Sequence, residues 1–171
     1  HHMDILSHGL WGSIAFGRKN KKSFWLAFLL GIAPDFFSFG IYTGSRLIQT
    51  IFDPESVHWS MRPPGMIEID SYVHTLYNIT HSFIIFAVVF FIVWIIMKKP
   101  VWEMFAWAFH IFLDLFTHST SFFPTPYLWP FSFTPIDGIP WSTPIIFFTN
   151  LISLIVIYIV YWYRKKRGLK V

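Results

Sequence analysis

Residues 101–119 read VWEMFAWAFHIFLDLFTHS, an apolar run that carries His110, Asp114 and His118 in its second half. At ~100° per residue the three fall within about 80° of one another, one above the next on a single helical face. Ionisable groups in so apolar a helix are expensive and face a bundle interior rather than lipid. The run therefore has to be a helix packed among others, and its neighbours have to present partners to that stripe. His110 and Asp114 stand four residues apart, so an imidazole nitrogen and a carboxylate oxygen can reach one cation. An ionised Asp buried without a cation is unfavourable.

Composition extends this argument to the whole chain. Of 171 residues 54% are hydrophobic, 22% aromatic and only 13% charged, against roughly 25% charged in soluble domains. Mean hydropathy is +0.52. The expected fold class is an all-α integral membrane protein, a single domain over 3–171. Cysteine is absent, which excludes disulfides and thiolate metal sites. His1 and His2 ahead of Met3 read as a purification-tag remnant, and residues 18–30 only faintly mimic a signal peptide.

Along the chain, 4–17 is a short apolar helix capped by Asp4 or Ser7 and ended by Arg18, Lys19, Lys21 and Lys22. A second segment, 23–42, is interrupted by Pro34, which kinks it or ends its regular part. Residues 43–80 turn polar, contain Pro54, Pro63, Pro64 and Gly65, and read as a long loop. The most apolar run is 81–97, which a basic turn at Lys98-Lys99-Pro100 joins to the helix of His110. Residues 120–143 form a second loop, rich in Pro and aromatics, before 144–163 spans again and stops at Arg164-Lys165-Lys166-Arg167.

Three basic clusters fall after the first segment, between the third and fourth, and at the C-terminus. The positive-inside rule puts all three in the cytoplasm, which a bundle of about five helices satisfies with the N-terminus outside and the C-terminus inside. Both loops then face outward. The basic C-terminus serves as a topology signal, so no nucleic-acid partner is expected. Counting ~1.5 Å per residue from the cytoplasmic ends places His8 and His110 at ~15 Å, Asp35 and Asp114 at ~20 Å, and His81 and His118 at ~26 Å. Four segments thus bring His or Asp into one layer in the outer half of a core ~30 Å thick. The inner half carries only Glu103. Ser7, Thr80, Ser82, Thr117 and Ser119 flank the histidines as possible hydrogen-bond partners, although capping explains Thr80 and Ser119 as well.

MDILSHGLWG at 3–12, Pro34-Asp35 after an apolar run, HTLYNITHS at 74–82 and HIFLDLFTHSTSFFPTPYLWPFS at 110–132 resemble the YdjM-like family of membrane-bound metal-dependent hydrolases, over nearly the whole chain. By that resemblance Ser7-His8, Asp35, His74, Thr80-His81-Ser82, His110 and Asp114 fall on the family's polar motif positions. Leu128-Trp129-Pro130-Phe131-Ser132 falls on its aromatic signature. The His-x-x-x-Asp helix is also similar to the ligand helix of zinc-dependent phospholipase C and related nucleases. Two departures stand out. Thr75 occupies a position that is often Arg, which removes a phosphate clamp that Arg62 or Arg46 would have to replace. Phe37 stands where the family often has a second Asp, which implies fewer ligands and one metal rather than two.

The leading expectation is hydrolysis of a phosphoester, in a membrane lipid or lipid-linked phosphate substrate, at the outer interface of the cytoplasmic membrane. The cofactor would be a divalent metal, most plausibly Zn²⁺ as one or two ions, that acidifies a water and polarises the phosphoryl oxygen. His8, Asp35, His81, His110 and Asp114 are the expected ligands. His74 and His118 are assigned as ligand or general acid, and an Asp not bound to metal, such as Asp35, as base. Tyr127, Trp129, Phe131 and Trp141 are expected at headgroup depth. The alternatives are a metal-ion transporter, which the dry inner half argues against, a haem protein with axial histidines, which the carboxylates argue against, and a non-catalytic metal-binding protein. Oligomeric state is left open.

Overall fold

The computed structural model describes residues 5–53, 69–121 and 123–169, and among these it contains six helices and no strand. The helices are α1 (Ile5–Phe16), α2 (Lys21–Phe52), α3 (Ser71–Thr80), α4 (Phe83–Met97), α5 (Phe105–Thr117) and α6 (Pro144–Lys166). Two of them, α2 and α6, are long and apolar enough to cross a membrane, and α3 with α4 makes a third span if their 61° bend is counted as a break in one. The first helix is short, as expected, and α5 is short as well: α1 and α5 hold 12 and 13 residues, ~18 and ~20 Å of helix.

The apolar exterior agrees with a lipid surrounding. Ile95 and Ile96 on α4 and Ile145 and Ile159 on α6 are all more than 60% exposed, whereas a water-soluble bundle would turn such a stripe inward. The all-helical membrane-type class expected from composition is what the chain forms.

The polar stretch after Tyr42 is the main correction. Residues 43–80 are not one loop: α2 continues to Phe52, and α3 starts at Ser71. Pro34 does end the regular part of the second segment, as expected: the α-helical stretch closes at Asp35, and α2 continues through a π-helical turn over Phe36–Gly40. In the segment Ile41–Phe52 the apolar Ile41, Ile48, Ile51 and Phe52 recur at helical spacing and remain exposed, so the Thr, Gly and Ser among them mark a polar face. The remainder of that loop, 54–68, lies outside the described residues, as do Arg62 and Asp4. Ser7, the other expected cap, sits inside α1. In the second loop, 120–143, none of the described residues is helical.

Small residues let α1, α2 and α5 approach closely, as is common where helices pack in lipid. A Cβ on Gly9 would meet Phe28 and Ile32 at 2.7 Å, and one on Gly12 would meet the Ala106 Cβ at 2.8 Å. Polar contacts hold α6 against α1: Trp11 donates to Asn150 Oδ1 (2.7 Å), Asn150 donates to Ser7 Oγ (3.1 Å), and the Tyr158 hydroxyl donates to the Leu10 carbonyl (2.9 Å).

The elbow between α3 and α4 is built by Ser82. Its Oγ accepts from the amides of Ile84 and Ile85, capping α4, and donates to the Trp129 carbonyl at 2.6 Å. The Phe83 amide donates to the Tyr127 carbonyl, so the aromatic loop is tied to the same corner. Ser82→Ala is expected to lower stability by about 1–2 kcal/mol, the worth of a helix cap, with metal content unchanged. Thermal unfolding alongside metal analysis checks this.

Candidate metal centre

Four elements converge on Asp114. α1 supplies His8, α2 supplies Asp35, the elbow supplies His81, and α5 supplies His110 and Asp114 one turn apart. His118 follows as the first extended residue after α5 (φ −108°, ψ 138°). All six residues are at most 5% exposed.

Asp35, His81, His110 and Asp114 each offer a ligand atom, and the four atoms lie within 4.8 Å of one another. His81 Nε2 and His110 Nε2 are 3.1 Å apart. Asp114 Oδ2 stands 3.3 Å from the first and 3.2 Å from the second, and Asp35 Oδ1 stands 3.5 and 3.7 Å from them. Bonds of ~2.05 Å in tetrahedral geometry separate ligand atoms by about 3.3 Å. The distances fit a small divalent cation.

Hydrogen-bond donors point to the same conclusion. His110 Nδ1 is 2.7 Å from the Gly31 carbonyl, an acceptor that fixes the proton on Nδ1 and leaves Nε2 a lone pair. His81 Nδ1 faces the Tyr77 carbonyl at 3.1 Å and Thr80 Oγ1 at 3.0 Å, and the Thr80 hydroxyl has donated its own proton to the Leu76 carbonyl. In the neutral ring His81 Nε2 is then a lone pair as well. Two imidazole lone pairs and two carboxylates then meet at one buried point where every group accepts. Every ion pair among the described site residues is His–Asp, with no Lys or Arg in the cluster. Only an added cation, a metal or a shared proton, makes such a meeting favourable.

His8 and His118 flank this group rather than complete it. The His8 ring stacks on His110 (3.8 Å between centroids, 29°), with Nε2 at 3.1 Å from Asp114 Oδ1. His118 Nδ1 lies 3.6 Å from Asp114 Oδ2, 3.3 Å from the Tyr77 hydroxyl and 3.5 Å from Thr125 Oγ1. Nδ1 of His8 and Nε2 of His118 have no hydrogen-bond partner among the described residues. Asp114 is therefore the hub, with His8 on one oxygen and His81, His110 and His118 on the other.

His74 is placed elsewhere. It stacks on Phe123 (4.8 Å, 6°) two helical turns before His81 and does not join the four-residue group. Of the flanking hydroxyls, Thr80 meets His81 as expected. Ser7 bonds Asn150, Ser82 caps α4, Thr117 donates to the Leu113 carbonyl, and Ser119 pairs with Ser121.

Sequence reasoning missed Tyr77. Its ring stacks on His81 (3.8 Å, 23°), and its hydroxyl donates to the Phe123 carbonyl at 3.1 Å beside His118. Its position four residues before His81 was the available signal. Missed too were the Gly31 carbonyl, which no side-chain motif reveals, and Thr125.

The aromatic loop closes over the C-terminal end of α5. The amides of Gly138, Ile139 and Trp141 donate to the carbonyls of His118, Phe116 and Thr117. Asp137 accepts from the Thr120 amide and hydroxyl, which hold its exposed carboxyl below the usual carboxylate range. Compared with known proteins, the chain matches no family model, no curated sequence and no solved structure.

Proposed function

We propose that this chain is a membrane-embedded metal-dependent hydrolase that cleaves a phosphoester in a lipid or lipid-linked substrate. The observation that carries the reading is the buried convergence of Asp35, His81, His110 and Asp114 on one point with no Lys or Arg beside it among the described residues. A divalent ion held there, zinc for preference given two imidazoles and two carboxylates, would supply the positive charge that polarises a phosphoryl oxygen and acidifies a water.

The chain's own residues then divide the work. His81 and His110 are fixed by their Nδ1 hydrogen bonds, and Asp114 holds both to one point. Asp35 lies furthest from the imidazoles, at 3.5 and 3.7 Å, and is the carboxylate best able to leave a position to water and take its proton. His118, with Nε2 unpartnered, is assigned to protonate the leaving group. In this reading the substrate arrives from the extracytoplasmic side of the cell membrane. Support comes from the exposed Phe131 and Phe133 on the loop that covers α5, which suit the headgroup region, and from the resemblance to the YdjM-like family.

A second reading rests on one specific observation. Four protein ligands with negligible exposure are the pattern of a structural metal site, since catalytic sites keep a position open. Asp35→Asn separates the two. In a hydrolase it retains metal and loses release of phosphate or headgroup from lipid phosphates by about a hundredfold or more. In a structural site it loses metal and stability together, and the wild type releases nothing from any phospholipid or lipid phosphate tested. Zinc uptake into sealed proteoliposomes would instead favour transport.

A further inference from the structure

At the opposite end of the bundle from the aromatic loop, a cavity of about 430 Å³ opens between the α1–α2 turn and the last turns of α6. Four cations line it: Arg18, Lys19 and Lys21 from the turn and Lys165 from α6. The lining contains no carboxylate, so nothing within it neutralises them. Four aromatic rings line the same cavity. Phe24 stacks on Tyr161 (6.4 Å, 26°), with Tyr161 itself buried, while Trp25 and Trp162 are each about half exposed. Lys165 Nζ lies 4.9 Å from the centroid of the Trp162 ring and 5.6 Å from that of Tyr161, which holds its charge at the wall. Asn20, also lining the cavity, caps α2 through the Ser23 amide, so the positive end of that helix dipole faces the same space.

We infer that this cavity binds the headgroup of an anionic glycerophospholipid, with the phosphate among Arg18, Lys19, Lys21 and Lys165 and the glycerol and upper chains against Trp25 and Trp162. A lipid is the occupant, rather than a free anion, because the half-exposed tryptophans continue the basic wall onto apolar helix surface. Trp at the boundary and Lys or Arg at the phosphate is the division that membrane interfaces impose. The site is separate from the metal centre and does not depend on the proposed hydrolysis.

The test uses the full chain, delipidated in detergent and offered equal amounts of phosphatidylglycerol and phosphatidylcholine, with bound lipid read by native mass spectrometry. Phosphatidylglycerol is retained in preference. Arg18→Gln with Lys165→Gln weakens that retention about thirtyfold, at the usual worth of two basic residues against an anionic headgroup. Lys98→Gln with Lys99→Gln, at the other basic turn, leaves it unchanged. Should the first double variant not fold, Lys165→Arg retains the lipid and Lys165→Glu releases it. Equal retention of both lipids, or no loss in the Arg18 and Lys165 variants, overturns the proposal. So does displacement of the lipid by millimolar inorganic phosphate, which would assign the cavity to a free anion.

Discussion

Asp114→Asn is expected to abolish stoichiometric metal binding, with affinity falling by more than about a hundredfold, since even residues that merely orient ligands are worth ten- to a hundredfold. The amide keeps the shape of the carboxylate and removes its charge, so the loss reports on chemistry rather than packing. In the wild type, four imidazole nitrogens lie within 3.6 Å of the Asp114 oxygens. Without that anion, His81 and His110 would hold a cation with Asp35 alone. Thermal unfolding with and without zinc gives the same test in energy. A metal at a hundred times its dissociation constant stabilises the folded state by about 2.7 kcal/mol. The wild type should show that zinc-dependent rise in Tm, and the variant should show none.

Gly31→Ala is the second large effect, and it acts through backbone. A Cβ at this position would lie 2.7 Å from the His8 carbonyl oxygen and 3.2 Å from the Gly9 Cα. Neither atom belongs to a flexible side chain, so α1 has to move away from α2. Overpacking of this kind costs about 1–3 kcal/mol. The separation also disturbs the Gly31 carbonyl that fixes His110 Nδ1 and the backbone that carries His8, so weaker zinc binding should accompany the lower Tm. Gly44→Ala is the matched control. Nothing lies within 4 Å of its added methyl, and Ala in a helix stabilises by roughly 0.4–1 kcal/mol. A Gly31→Ala protein with wild-type Tm and zinc affinity would show that the close helix crossing does not set the site.

Much of the centre was legible in sequence because helical periodicity transmits well through an apolar segment. His110, Asp114 and His118 were expected on one face, and the structure turns all three toward the same point. The crossings were less legible. Counting along upright helices separates His81 from His110 by ~11 Å in depth, yet their Nε2 atoms are 3.1 Å apart. The count assumed a continuous span, whereas the helix breaks at the Ser82 elbow, and α5 starts only after a 3₁₀ turn at Trp102–Met104, which rises faster per residue.

His74 is set apart by distance along a single helix. It stands seven residues before His81, the C-cap of α3, and ~10 Å along the axis it is too distant to share a coordination sphere. The helical segments Ile41–Phe52 and Ser71–Thr80 were hidden by Thr, Gly, Ser and Asn. Turn-prone residues outweighed a helical spacing of Ile, Val and Tyr that was present throughout.

The central claim is tested most directly by elemental analysis of purified protein lacking His1 and His2, after zinc loading and removal of free ion. About one equivalent of divalent metal per chain in the wild type, and close to none when His110→Ala and Asp114→Ala are combined, is the predicted result. A wild type that retains no metal, or a double variant that retains a full equivalent, would contradict it.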